Sequence, residues 1–207
     1  FKMLAGLEVG DTIFFMADKE EKAAYYAGMI RKELGEKLDL LEKNAFRFCY
    51  INDFPMFEKD AVTKQIGFTH NPFSMPQGGL EALNTKDPLD ILAYQYDIVC
   101  NGVELSSGAV RNHDMEIMVK AFEIAGYDEE VLKNKFGALY NAFQFGAPPH
   151  AGMAPGIDRM IMLLLGEENI REVNPYPMNG NAEDLMCGAP NHVTEQQLRE
   201  VHIKVRD

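Results

Sequence analysis

The sequence has few cysteines, little positive charge and no long apolar run. Its three cysteines, Cys49, Cys100 and Cys187, are widely spaced, and without a C-x-x-C pair they indicate reduced core thiols instead of zinc or a redox couple. The longest apolar run, residues 160–165, is far too short to cross a bilayer, and no signal segment opens the chain. We therefore expect a cytoplasmic protein with no membrane partner.

The shortage of basic residues limits the partners of the chain. It has 32 Asp and Glu against 20 Lys and Arg, a net charge of −12, so its surface repels phosphate backbones and any nucleic-acid contact must be local. A hydrophobic content of 46% with 25% charged residues excludes disordered and fibrous classes. The 207 residues suit one domain, or one domain plus part of a second.

The first quarter of the chain predicts a small αβ unit. Residues 12–16 have the pattern of a short strand. Asp18, with Glu21 three residues on, forms a capping-box pattern that predicts a helix running to about Leu38.

A domain boundary is predicted just before residue 46. Residues 46–52, FRFCYIN, have the aromatic and β-branched character of a buried strand. We therefore divide the chain into residues 1–45 and 46–207. The chain opens on Phe1, in the middle of a pattern, and we expect the natural start to lie upstream.

Asn101-Gly102 is a strong signal for a two-residue hairpin turn. Such a turn pairs Asp97 with Ser106 and places Asp97 and Glu104 on one face of the hairpin. Two carboxylates there are close enough to hold one hard cation, and Mg²⁺ needs few protein ligands when phosphates supply the rest. Spacing alone favours the alternative of two exposed acids on a solvated face.

Two arginines follow the hairpin. Arg111 lies seven residues after Glu104, an odd offset that puts it on the opposite face unless a bulge near Gly108 restores it. Arg159 begins a helix after GMAPG, where glycines let a ligand approach and a guanidinium can bind phosphate or stack on a base. Taken alone, it is better explained as a helix-surface arginine. Phosphate-loop, H-E-x-x-H and G-x-S-x-G motifs are absent from the sequence.

Four further signals mark helices in the second part. Asp114 and Asp128 each open a helix, and the first of these ends near Gly126. Thr194, with Gln197 three residues on, predicts a capping box for the last helix.

Together these strings resemble one enzyme family. Residues 146–166, GAPPHAGMAPGIDRMIMLLLG, resemble motif 3 of the class II aminoacyl-tRNA synthetases in its bacterial aspartyl form. Residues 96–114 are similar to the strand pair before that motif, and residues 68–76, FTHNPFSMP, to the mobile substrate loop. Residues 51–60 resemble the strand that follows the bacterial insertion domain, which makes residues 1–45 its tail.

The resemblance implies roles for five residues. Asp97 and Glu104 would hold Mg²⁺ on the ATP phosphates. Arg111 would bind the aspartate side chain as a two-pronged pair. Arg159 would contact the γ-phosphate or adenine of ATP. His70 would lie in the loop that closes over aspartate, and the next position, often a second histidine in the family, is Asn71.

The implied fold is α+β, an antiparallel sheet flanked by helices and incomplete at its N-terminal side. The implied activity is ATP-dependent activation of aspartate to aspartyl-adenylate and transfer to tRNA by a homodimer. Positioning and charge neutralisation carry such chemistry, so no side-chain nucleophile is needed. No counterpart of motif 1 or motif 2 is found, and we predict that the chain alone is inactive.

Two alternatives stay open. One is an asparagine-activating relative, either an asparaginyl-tRNA synthetase or an ammonia-dependent asparagine synthetase, against which the DFPMFE and PPHAGMAPG strings argue. The other is a non-catalytic paralogue. Retention of Asp97, Glu104, Arg111 and Arg159 together counts against it, because a binding module needs none of them. Charging of the asparagine tRNA is also left open.

Overall fold

The computed structural model describes residues 3–206, and the chain divides into two compact units between Phe46 and Arg47. The first unit contains one helix, α1 (Glu20–Lys37). Its end agrees with the prediction, but its start does not: Lys19 is the N-cap, no side chain caps the helix, and Asp18 accepts a hydrogen bond only from the adjacent Lys19 N–H. Residues 12–16 are irregular, so the predicted strand is wrong.

The second unit contains the sheet. Its strands are β1 (Phe48–Pro55), β2 (Phe57–Lys59), β3 (Ile66–Phe68), β4 (Leu92–Cys100), β5 (Val103–Val110) and β6 (Ala151–Pro155). Its helices are α2 (Gly79–Thr85), α3 (Met115–Ile124), α4 (Glu129–Lys135), α5 (Gly137–Phe143), α6 (Ile157–Leu165) and α7 (Glu195–Glu200), with short 3-10 turns at Pro88–Asp90 and Ile170–Val173.

The main sheet is four-stranded and antiparallel, in the order β1-β4-β5-β6, and β2 and β3 form a separate pair. This confirms the predicted α+β class. The hairpin between β4 and β5 turns at Asn101 and Gly102, whose φ angles of 50° and 81° are the positive values that a two-residue turn of this type requires.

β1 lies at an edge of the sheet. Residues 46–52 contribute to it, but Phe48 and Tyr50 are 66% and 68% exposed, so the prediction of a buried strand is wrong. Aromatic and β-branched residues indicate that a segment favours a strand, whereas the burial of that strand depends on what packs over the sheet.

Part of residues 68–76, the segment that resembles the mobile substrate loop, is built into the sheet. Ser74 pairs with Arg111 of the β5 end, and Pro76 pairs with Ala93 of β4, both antiparallel. Between them, Met75 donates its N–H to a β5 carbonyl at 2.8 Å and accepts an N–H from β4 at 2.9 Å. We call residues 73–77 the wedge segment, because it separates the two strands beyond their last shared pair.

The core of this unit lies between the sheet and α3. One cluster joins both sheets to α2 and α3: Met56, Phe57, Leu83, Ile91, Ala93 and Ala121. A second joins α3 to α4 through Met118, Phe122 and Leu132. Helical spacing places Met118, Ala121 and Phe122 on the buried face of α3, and Ala121 packs into the first cluster.

The predicted caps of three helices are confirmed. Asp114 accepts the N–H groups of Glu116 and Ile117, Asp128 accepts that of Val131, and Thr194 forms a full capping box with Gln197. Gly126, with φ of 82°, follows the end of α3, where a left-handed residue stops a helix.

The three cysteines are free, as expected, but only Cys100 is buried. Cys49 and Cys187 are exposed, so the expectation of core thiols is wrong for these two. Among residues 3–206, no helix has the length and apolar character needed to cross a membrane.

Candidate active site

A bulge in β5 organises the candidate site. Val99 pairs with Glu104, but the preceding residue, Ile98, pairs with Ser106, so Leu105 is an extra residue. Asp97 consequently pairs with Ser107. The pairing of Asp97 with Ser106, which a regular hairpin predicts, is therefore wrong. The two carboxylates still share one face of the sheet. Asp97 and Val99 are two residues apart on β4 and point to the same side, and Glu104 lies directly opposite Val99.

The bulge also brings Arg111 to the carboxylate face. Ser107 lies opposite Asp97, and two further alternations along β5 lead from Ser107 to Arg111 on the same side. The odd offset between Glu104 and Arg111 did require a bulge, as predicted. Its predicted position near Gly108 is wrong, because the extra residue is Leu105.

Arg111 is held by its backbone between two neighbours. Its N–H donates to the His150 carbonyl at 2.9 Å, and Ser74 of the wedge segment pairs with it on the other side. The guanidinium extends over β6, since a Cβ on Gly152 would lie 3.8 Å from Nη2. Within residues 3–206, the salt bridges and side-chain hydrogen bonds do not include this guanidinium.

Arg159 and Glu104 are in direct contact. Arg159 Nη1 donates to Glu104 Oε1 at 3.1 Å and to the Glu104 carbonyl at 2.7 Å. The bulge places the start of α6 as well, because the Gly156 N–H donates to the Leu105 carbonyl at 2.7 Å. Both side chains are nearly half exposed, which leaves the pair open to exchange with a ligand.

Asp97 has an unsatisfied carboxylate oxygen. Its Oδ1 is buried and has no hydrogen-bond partner in the part of the chain that the structure describes. A buried carboxylate oxygen is expensive without a partner, and a cation supplies one. No group of three or more His, Cys, Asp or Glu residues that could hold a metal occurs within residues 3–206. The unsatisfied Asp97 Oδ1, on the face of Glu104, is compatible with an ion such as Mg²⁺, which takes one or two carboxylates and completes its shell with phosphate and water oxygens.

His70 lies in the first half of the loop, apart from these four residues. Its exposed ring packs edge-on against Phe54, with centroids 5.6 Å apart. Asn71 has a structural function: its Oδ1 accepts the Phe73 N–H at 2.9 Å and closes the turn that leads into the wedge segment. Sequence reasoning missed this turn and the contact between Ser74 and Arg111, because loop residues give no periodic signal for strand pairing.

The comparisons with known proteins agree on one family. The family described as tRNA synthetases class II (D, K and N) matches residues 11–180. An "Aspartate--tRNA(Asp/Asn) ligase" of Zymomonas mobilis is 64% identical over 99% of this chain and 35% of the relative. An "Aspartate--tRNA ligase" of Streptomyces avermitilis is 58% identical over 97% of this chain and 34% of the relative.

A solved structure shows the same likeness. The aspartyl tRNA synthetase from Entamoeba histolytica superposes with a TM-score of 0.50 at 26% identity, covering 88% of this chain and 31% of that protein. The chain spans about a third of the length of the curated relatives it matches.

Proposed function

The chain belongs to the class II tRNA synthetases (D, K and N), and from this membership we propose that it forms part of the catalytic domain of an aspartate–tRNA ligase. The observation that carries the proposal is the Leu105 bulge, which sets Arg111 on the face of Asp97 and Glu104. A site for a dicarboxylic amino acid and Mg²⁺·ATP needs that combination of one cation and two acids.

In the proposed reaction, an oxygen of the aspartate α-carboxylate attacks the α-phosphorus of ATP, and pyrophosphate leaves. A ribose hydroxyl of the tRNA then attacks the aspartyl carbonyl, and AMP leaves. Arg111 pairs with the side-chain carboxylate and fixes the orientation of the amino acid. These groups position the reactants, so the chemistry requires no covalent enzyme intermediate.

Asp97 and Glu104 would hold Mg²⁺, which when bound neutralises phosphate charge. Glu104 is paired with Arg159. Binding of Mg²⁺·ATP would separate this pair, freeing Glu104 for the ion and Arg159 for the γ-phosphate or adenine. The exposed geometry of the pair makes this exchange inexpensive.

His70 is proposed to contact aspartate when the loop closes. The division between Phe46 and Arg47 supports our assignment of residues 1–45 to the tail of an insertion domain and of residues 46–207 to the catalytic domain. We further propose that the complete enzyme, of which this chain is a part, is a cytoplasmic homodimer that acts on tRNA. The name of one relative includes both the aspartate and the asparagine tRNA, and the name of the other specifies no tRNA, so charging is measured with the two tRNAs in parallel.

The test is pyrophosphate exchange by the complete enzyme. We expect exchange that depends on aspartate and not on asparagine, and a loss of about 100- to 1,000-fold in kcat with Glu104→Gln, accompanied by a changed Mg²⁺ dependence. Glu58→Gln, an exposed acid on β2, is the control and should leave exchange unchanged. Exchange driven by asparagine, or none with either amino acid, would contradict the proposal.

A further inference from the structure

Ser74 and Arg111 form a close cross-strand pair. The hydrogen bonds on either side of them run from the Met75 N–H to the Val110 carbonyl at 2.8 Å and from the Asn112 N–H to the Phe73 carbonyl at 2.7 Å. Ser74 and Arg111 are therefore a non-hydrogen-bonded antiparallel pair, in which the Cα atoms approach to about 4.5 Å and both side chains point to the same face.

The Ser74 hydroxyl is buried without a partner. The residue is 0% exposed, and its Oγ makes no hydrogen bond within residues 3–206. An unmet hydroxyl destabilises a fold, and alanine would fill the same space without that penalty. The adjacent guanidinium of Arg111 is half-buried and makes no salt bridge or side-chain hydrogen bond within residues 3–206.

We propose that Ser74 Oγ accepts a hydrogen bond from the Arg111 guanidinium in the aspartate-bound state and so fixes the plane of that group. The inference rests on the proposed function. Ser74 has no open surface with which to touch aspartate itself, so it is a positioning residue that acts through Arg111. A guanidinium has five donors, and a two-pronged contact with carboxylate uses only two of them.

The same contact links the loop to amino-acid selection. Ser74 belongs to the wedge segment, four residues after His70, and the wedge segment is bonded to both β4 and β5. These backbone bonds fix the position of Ser74 relative to Arg111. Through Ser74, the segment that follows His70 would thus help to orient the guanidinium that distinguishes aspartate from asparagine.

The test uses the complete enzyme with Ser74→Ala. Because hydrogen bonds to charged groups are among the stronger ones, we expect KM for aspartate to rise about 10- to 100-fold and KM for ATP to stay within about twofold. Ser74→Thr, which keeps the hydroxyl, should restore most of the affinity. The melting temperature of Ser74→Ala should not fall, since Ser74 Oγ makes no hydrogen bond within residues 3–206.

Ser106→Ala is a matched control. Ser106 is also buried, at 3% exposure, and its Oγ also lacks a partner among the described residues, but it pairs with Ile98 on the opposite face of the sheet. Its KM for aspartate should equal that of the wild type. In an Arg111→Leu background, Ser74→Ala should change kcat/KM for aspartate by less than about twofold, because the bond it removes no longer exists.

Three results would overturn the proposal: an unchanged KM for aspartate in Ser74→Ala, equal effects on aspartate and ATP together with a lower melting temperature, or additive effects in the double variant. Absence of aspartate-dependent exchange in the wild-type enzyme would instead refute the proposed function. The two failures are therefore distinguishable.

Discussion

Aspartate and asparagine have the same shape, so a pocket that separates them must sense charge. In our proposal Arg111 does so, because a guanidinium pairs with a carboxylate and is left unpaired by an amide. Half-burial at the meeting of β5, β6 and the wedge segment limits its access to water. The proposed selectivity would then depend on one charge whose position is set by the backbone on both sides.

We predict that Arg111→Leu in the complete enzyme lowers kcat/KM for aspartate at least about 30-fold, since truncating one partner of a desolvated charge pair costs about 2–5 kcal/mol. Lysine should rescue poorly, because it keeps the charge and loses the planar fork. Arg199→Leu, on the exposed surface of α7, is the control. Retained selectivity for aspartate over asparagine in Arg111→Leu would show that another group senses the charge.

Gly108 is required by close packing of β5 on β6. A Cβ at this position would lie 2.4 Å from the Gly152 carbonyl oxygen and 2.6 Å from Tyr96 Cε2. The Tyr96 hydroxyl donates to that same carbonyl at 3.0 Å, so the ring cannot move away without losing its hydrogen bond.

Gly108→Ala should therefore lower the free energy of unfolding by about 1–3 kcal/mol or more, as overpacking does. Urea denaturation of the 207-residue chain measures it. Gly137→Ala is the matched control, because nothing lies within 4 Å of its Cβ position and it begins α5, where alanine favours the helix. Equal stabilities of the two variants would exclude the packing explanation.

At the scale of elements, local signals predicted well and long-range contacts did not. The Asn101-Gly102 turn and the caps at Asp114, Asp128 and Thr194 are decided by residues within one turn of the chain, and all are confirmed. The capping pattern at Asp18 was equally local, yet the helix begins later, at Glu20.

The features that sequence could not supply depend on distant partners. The exposure of β1 depends on what covers it, and insertion of residues 73–77 between β4 and β5 depends on partners that lie about 15 to 40 residues later in the chain. The need for a bulge could be read from the odd offset of Arg111. The position of the bulge at Leu105 could not be predicted. Leucine has no preference for bulges, whereas Gly108 is a residue type that bulges favour.

The contact between α4 and α5 gives a prediction on pH. The Tyr140 hydroxyl donates to the Glu129 carboxylate and, with Lys133, lowers the pKa of Glu129 below its ordinary value of 4.5. A lowered carboxyl pKa contributes stability that is present above 4.5 and is lost as pH falls through the lowered value.

In Tyr140→Phe the pKa of Glu129 should rise towards 4.5. The free energy of unfolding should then change less with pH in the interval between the lowered wild-type pKa and 4.5. NMR titration of the Glu129 side-chain carboxyl measures the shift. Tyr127→Phe leaves this contact intact and serves as the control. If Glu129 titrates alike in both variants, the hydroxyl is not the cause.

At the scale of the whole molecule, the sheet is a surface with much of one edge strand in solvent. β1 exposes Phe48 and Tyr50, and α6 exposes Leu164 and Leu165 at 70% and 66%. Large exposed apolar side chains of this kind are typical of interaction surfaces. The chain spans 35% of the Zymomonas mobilis relative.

The 207-residue chain by itself should therefore fold but not form aspartyl-adenylate. We expect aspartate-dependent pyrophosphate exchange at background, because the proposed site within residues 3–206 assigns Arg111 to aspartate and Arg159 to the γ-phosphate or adenine of ATP, and assigns no residue to the α-phosphate. Circular dichroism serves to confirm that the inactive sample is folded. Clear activity of this chain would mean that the described residues form a sufficient site.

A transplant of this site into another sheet must include Leu105, the extra residue of the β5 bulge. Leu105 touches no proposed substrate, yet removing it would restore strict alternation and turn the second half of β5 over. The carbonyl of the same residue also seats the first turn of α6. The smallest portable unit is thus the hairpin with its extra residue and the glycine-rich turn before Arg159, and a graft of the charged side chains alone would deliver them to two opposite faces.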